Sequence, residues 1–177
     1  MTLFAPVIYA QELTKEELKA QRKAEKLDRK RAELEKFKEY KLWIDSAFFG
    51  VAADMILDRS LNRITLNPRS NFIQINGGKC IIQLNGFAAG GANGIGGRTI
   101  EGNITSYEVD QSKEHTPITV AVQMQSISLG LTSFMFTVNK DGSSRVTVSG
   151  WGGRSLTYNG RIYNPQEYRV NMGAKDF

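Results

Sequence analysis

The 177 residues include one cysteine, Cys80, and one histidine, His115, so the chemistry open to this chain is narrow. A lone Cys excludes an intramolecular disulfide framework and any zinc site built on several thiolates; a lone His excludes a histidine-rich metal cluster. Cys80 alternates in phase with Ile82 and Leu84, which reads as a buried structural thiol and not as a nucleophile. His115 stands in the polar stretch 111–116 among charged neighbours, where a solvated side chain is expected. Paired-carboxylate acid–base chemistry needs two carboxylates around one pocket. The pairs Asp54/Asp58 and Glu108/Asp110 fall on outward phases or at strand ends, and nothing in the pattern gathers them. The sequence therefore assigns no catalytic residue, no metal ligand and no cofactor.

The glycine-rich stretch 86–97 (GFAAGGANGIGG), followed by Arg98 and Thr99, is the remaining candidate. A G-x-x-x-x-G-K-[ST] template laid on it puts Ala92 where its first Gly belongs and Arg98 where its Lys belongs. The next segment reads as a strand, so the helix N-terminus that would hold a phosphate is missing. G-x-G-x-x-G also fails, because Gly94 and Gly96 are followed by Thr99. The stretch is better read as a loop between two strands at the mouth of a barrel, and open barrel ends hold ligands. Phe87, Gly94, Ile95, Gly96 and Arg98 are the ligand-binding candidates. Phe87 and Ile95 have no strand face to pack on, and either could lie across a cavity mouth.

Three elements must position such a site. Residues 1–10 end in the apolar run LFAPVIYA before the charged run that begins at Gln11 and Glu12, and read as the remnant of a secretory signal peptide. Gln11, not Cys, would follow the cut, so export as a lipoprotein is not expected. Residues 11–47 form a charged helix: from Thr14 to about Ala47 there is no Gly or Pro, and good helix formers dominate. Thr14 and Glu17 make a capping box, and Leu13 and Leu18 a hydrophobic staple. Ala20, Ala24, Leu27 and Leu34 form a thin apolar seam broken by Arg31, whereas Phe37, Tyr40, Ile44 and Ala47, with Trp43 beside them, form a proper face. The second half should dock and the first half project.

Residues 48–177 alternate β-branched and aromatic with polar residues, punctuated by Gly and Asn, which predicts an antiparallel β domain. Val51, Ala53, Met55 and Leu57 share one phase; Asn76-Gly77-Gly78 and Lys140-Asp141-Gly142 mark hairpins. Residues 155–163 and 168–172 are weaker strand candidates. Phase slips near Ile127 and Leu129, and between Ile104 and Tyr107, predict bulges or sharp bends. About eight to ten short strands fit a mainly β fold: an antiparallel, lipocalin-like barrel or sandwich preceded by one long charged helix.

The net charge of +5 comes from 23 Lys and Arg against 18 Asp and Glu. Acids interleave with the helix's bases and no aromatic platform accompanies them, so no nucleic-acid partner is expected. No apolar run reaches the roughly 18 residues of a membrane span. Weak self-association through the Ala20/Ala24/Leu27/Leu34 seam is the sharper alternative to a merely solvated helix.

The stretches 71–109, 118–138 and 158–170, with N-G-x-G-G at Asn93–Gly97 and G-x-(I/V)-x-x-Y at Gly102–Tyr107, resemble an uncharacterised bacterial family, domain of unknown function 4251. The resemblance covers most of 48–172. It implies a lipocalin-like β fold, export to the periplasm or cell envelope of Bacteroidetes-type bacteria, and no catalytic residues. The expectation is a non-catalytic exported protein that binds a small or apolar ligand near 86–97. The alternative is a structural or interaction module contacting an envelope protein through its helix, and a hydrolase ranks third. A cavity lined by Phe, Met and Tyr would favour ligand binding; a barrel filled by side chains would favour the module.

Overall fold

The computed structural model describes residues 15–57, 63–84, 99–111, 116–150, 155–173 and 175–176. Helix α1 (Lys15–Asp45) is 31 residues long, with Glu16 and Glu17 in its first turn where carboxylates complement the helix dipole. Leu13 and Thr14, the expected staple and cap, lie outside the described residues. The helix stops when Ala47 adopts a left-handed φ of 50°, while its amide donates to Ile44 O at 2.9 Å. That reversal turns the chain directly into the first strand.

Ten strands follow among the described residues: β1 (Phe48–Leu57), β2 (Arg63–Thr65), β3 (Phe72–Asn76), β4 (Lys79–Gln83), β5 (Thr99–Asp110), β6 (Ile118–Ser126), β7 (Gly130–Val138), β8 (Ser143–Ser149), β9 (Ser155–Tyr163) and β10 (Lys175–Asp176). From β3 to β9 each strand pairs antiparallel with the next, and β1 pairs with both β9 and β3. The result is a closed eight-stranded antiparallel barrel, which removes the exposed edges an open sheet would carry. β2 lies beside the end of β1, and β10 runs parallel to the start of β5.

The predicted hairpins form where expected. Asn76 pairs with Lys79 across Gly77-Gly78, and Gly77 has a φ of 59°. Between β7 and β8 the Ser143 amide donates to Asp141 Oδ1 at 3.0 Å, and Gly142 has a φ of 79°. Of the two predicted phase slips, that in β5 is a bulge between Ile104 and Ser106. The other is a turn: Ile127 and Leu129 belong to the β6–β7 connection, with Ile127 91% exposed. β1 also departs from simple alternation. A bulge between Ala53 and Met55 exposes Asp54 and turns Ile56 into the core in place of Met55 and Leu57. Residues 155–163 form a full central strand, whereas 168–172 are not a strand.

The barrel has two distinct ends. At one, α1 docks: Phe37 and Ile44 are buried, the Gly77 amide donates to Ala47 O at 2.9 Å, and the Tyr107 hydroxyl donates to Ile44 O at 2.5 Å. At the other lie the end of β4, the start of β5 and the β6–β7 turn, because each of these strands runs away from the helix or back toward it.

Candidate functional site

Three places could carry function: the barrel interior and its mouth, the outer wall, and the free half of α1. Inside, alternate residues of all eight strands converge. Phe49, Phe136, Tyr158, Met124, Ile118 and Val146 have no solvent-accessible surface. Side chains lining a ligand-sized chamber would expose surface to it. The Phe49 and Phe136 rings meet edge-on at 5.4 Å, and Phe134 stacks near Phe136 at 6.2 Å. Gly102, also inward, makes room for the Met124 side chain, since a Cβ there would come within 2.5 Å of Met124 Cγ. Of the two outcomes weighed from sequence, a cavity or a filled barrel, the described inward Phe, Met and Tyr side chains show close packing.

At the mouth, Phe87, Gly94, Ile95, Gly96 and Arg98 all lie outside the described residues. The strand ends that carry the 85–98 connection are held by one side chain that sequence reasoning missed. The Gln83 amide nitrogen donates to Ser70 O and to Asn171 O, both at 2.9 Å. Its carbonyl accepts from the Gly173 amide at 2.7 Å and from the Thr99 hydroxyl at 2.5 Å. All four hydrogen-bonding capacities of the amide are used, which ties β4, β5, the 67–71 turn and the C-terminal segment together. Gln83 reads as an ordinary outward residue because two of its partners lie 88 and 90 positions away. On the inward phase at the start of β7, by contrast, the buried Thr132 hydroxyl has no hydrogen-bond partner among the described residues.

Outside, Tyr163 packs on Tyr168 with ring centroids 4.9 Å apart and donates to Gln74 Oε1 at 3.3 Å, so the C-terminal segment covers Ala52 and Phe72. Further round the wall is a polar groove of about 560 Å³ containing Asp54, Asn139, Arg145, Asn159 and Arg161. Arg145 Nε donates to Asn159 Oδ1 at 3.3 Å, and Arg161 donates to Asp141 O at 2.5 Å. Two guanidiniums and one carboxylate can hold a polar partner, but they provide no nucleophile and no acid–base pair.

Of the carboxylates considered from sequence, Glu108 and Asp110 lie two residues apart on the exposed end of β5, and the described Asp54 is not brought to them. Asp54 lies in this groove on β1, Glu108 in a separate groove on the β5–β8 wall, and Asp58 outside the described residues. His115 also lies outside them. Cys80 is fully buried, and burial pushes its thiol well above the usual range, which suppresses the reactive thiolate. No group of three or more His, Cys, Asp and Glu that could hold a metal occurs among the described residues.

The helix differs from both. Lys15 to Ala32 is exposed throughout, with Leu27 at 50%. Its ion pairs are local: Arg29 to Glu33 at 3.3 Å, Arg31 to Asp28 at 3.9 Å and Lys38 to Glu35 at 2.8 Å. A shallow groove of about 570 Å³ follows Ala20, Ala24 and Leu27 between Lys23, Lys26 and Lys30. No described helix is long and apolar enough to cross a membrane.

Against known families, the model "Domain of unknown function (DUF4251)" matches residues 31–162, from the docking half of α1 to the end of β9. The chain belongs to the DUF4251 family. A crystal structure of a DUF4251 family protein from Bacteroides eggerthii DSM 20697 superposes with a TM-score of 0.63 at 19% identity, covering 75% of this chain and 89% of that one. At that identity the likeness shows the fold. No curated protein matches the chain. The DUF4251 match begins where α1 starts to dock, so the exposed residues 15–30 lie outside it.

Proposed function

We propose that this DUF4251 chain is an exported, non-catalytic interaction module of the cell envelope. In this reading the barrel is a solid body, and contacts are made by the projecting half of α1 and the polar outer wall. The packed interior is the observation that carries it: Phe49, Phe136 and Tyr158 occupy the volume in which a barrel of this kind would hold a ligand. Support for the absence of catalysis comes from the buried Cys80 and from the separation of Asp54 on β1 from Glu108 on β5. The apolar run before Gln11 supports export to the periplasm or envelope without lipid attachment.

One observation favours a second reading. The buried Thr132 hydroxyl at the mouth end, without a hydrogen-bond partner among the described residues, would suit a small ligand entering near 86–97, where Phe87, Gly94, Ile95, Gly96 and Arg98 are the candidates to hold it. A thermal-shift screen of lipids, glycans and small apolar compounds separates the two. The module reading expects no saturable shift from any class. A shift that disappears in a Gly94→Val/Gly96→Val variant of unchanged basal stability would transfer the proposal to the mouth. For export, N-terminal sequencing of protein from its native cells should begin at Gln11; a cytoplasmic chain retaining Met1 would overturn it.

A further inference from the structure

The free half of α1 carries a pattern that a solvated helix does not need. Ala20, Ala24, Leu27, Arg31 and Leu34 follow one another at alternating steps of four and three, the d, a, d, a, d spacing of a coiled-coil seam. Lys23 and Lys30 then fall at g, and Asp28 and Glu35 at e. One flank of the seam is therefore basic and the other acidic, and all four flanking residues are exposed. From this charge complementarity we infer that the projecting half of α1 pairs with a second copy of this chain as a parallel, in-register, two-stranded coiled coil.

The orientation follows from the charges. In a parallel pair, each g residue faces the e residue of the next heptad on the other helix. Lys23 meets Asp28 of the partner subunit, Lys30 meets Glu35 of the partner subunit, and two-fold symmetry repeats both contacts. An antiparallel pair would set g against g and e against e, lysine against lysine and carboxylate against carboxylate. The bonds that Asp28 and Glu35 make within their own helix, to Arg31 and Lys38, are solvent-exposed and weakly held, so they do not block the exchange. Arg31, the polar residue at a, weakens the pair while helping to fix its register and two-stranded state.

The barrel does not stand in the way. At about 100° per residue, Phe37 and Ile44 lie roughly a quarter turn round the helix from Leu27. A two-fold pair therefore directs its barrels to opposite sides. With only about two heptads of thin seam, association should depend on concentration.

This inference rests on the module reading, and its test separates the two. Sedimentation equilibrium of the full chain should show the mass rising from 19.7 kDa toward twice that value with loading concentration. Lys23→Glu/Lys30→Glu and Asp28→Lys/Glu35→Lys should each remain monomeric and melt like the dilute, monomeric wild-type chain, and an equimolar mixture should regain the doubled mass. Ala24→Cys should form a disulfide-linked dimer on mild oxidation, since the parallel register puts two copies of position 24 side by side and Cys80 is buried. A monomer mass at every concentration, association indifferent to charge reversal, or failure of the Ala24→Cys link would each overturn the parallel pair. None of these outcomes would touch the ligand screen on which the module reading depends.

Discussion

The barrel and the free half of α1 are held by different physics. In the barrel, Phe136 meets Phe49 and Phe134 with no accessible surface, and neighbouring backbones approach so closely that some positions admit only glycine. Along residues 15–32 no side chain is buried, and order comes from helix propensity and ion pairs each worth about 0.2–0.5 kcal/mol. The barrel's stability is cooperative and intolerant of shape changes. That of the rod is local and nearly indifferent to its surface, which leaves the surface free to recognise a partner.

The sharpest way to break this contrast is inside the wall. At Gly160 an added Cβ would lie 2.0 Å from the Ala52 carbonyl oxygen, a backbone atom with little room to give. Gly160→Ala should cost about 3 kcal/mol or more, and Phe136→Ala about 3–5 kcal/mol, read from urea midpoints. Either substitution costing under about 1 kcal/mol would mean that the barrel is looser than described. Ile44→Ala, in the docked half of the helix, should cost about 2–5 kcal/mol and so behave like a barrel residue.

Alkali should act on the barrel as well. Burial pushes the hydroxyls of Tyr107, Tyr158 and Tyr163 and the thiol of Cys80 above their ordinary values of 10.0 and 9.0. The unfolded chain ionises first, so their contribution is complete below those values and declines as pH rises past them toward the folded values. Each group removes about 1.4 kcal/mol per pH unit across that window. Urea midpoints measured from pH 8 to 11 should fall progressively above about pH 9–10. A flat profile would contradict the burial of these groups.

How much of this was legible in the sequence follows from the range of each signal. Alternation revealed the mainly β domain, and the gap between the Ala/Leu seam and the Phe37/Ile44 face revealed which half of the helix docks. Residues 155–163 are a weaker strand candidate in sequence, and they contain Asn159-Gly160, a dipeptide of the kind common in hairpin turns. In the fold it lies within β9, and its glycine permits close approach to the bulged β1. Ile127 looked like a strand residue because an apolar side chain in a three-residue turn carries no local mark. The Gln83 clamp was invisible, since what makes a glutamine structural is the arrival of the 67–71 turn and the C-terminal segment. The charge flanks of α1 were fully legible, yet only the structure leaves that half of the helix without a barrel face to serve.

The smallest effect expected is the one that tests the rod itself. Deleting residues 14–35 removes the exposed turns but keeps Phe37, Tyr40, Trp43 and Ile44, together with the Tyr107 hydroxyl bond to Ile44 O, which holds the docked end. Among the removed described residues only Glu33 and Leu34 are partly buried, and the lost ion pairs are exposed ones of little worth. The unfolding free energy measured on dilute, monomeric protein should therefore change by less than about 1 kcal/mol. If self-association contributes, the truncated and full chains should agree when dilute and diverge as concentration rises, because only the full chain gains stability by mass action. Equal stability at every concentration would leave the rod without a self-partner. A large loss at low concentration would mean that the exposed turns support the barrel through contacts the fold does not contain.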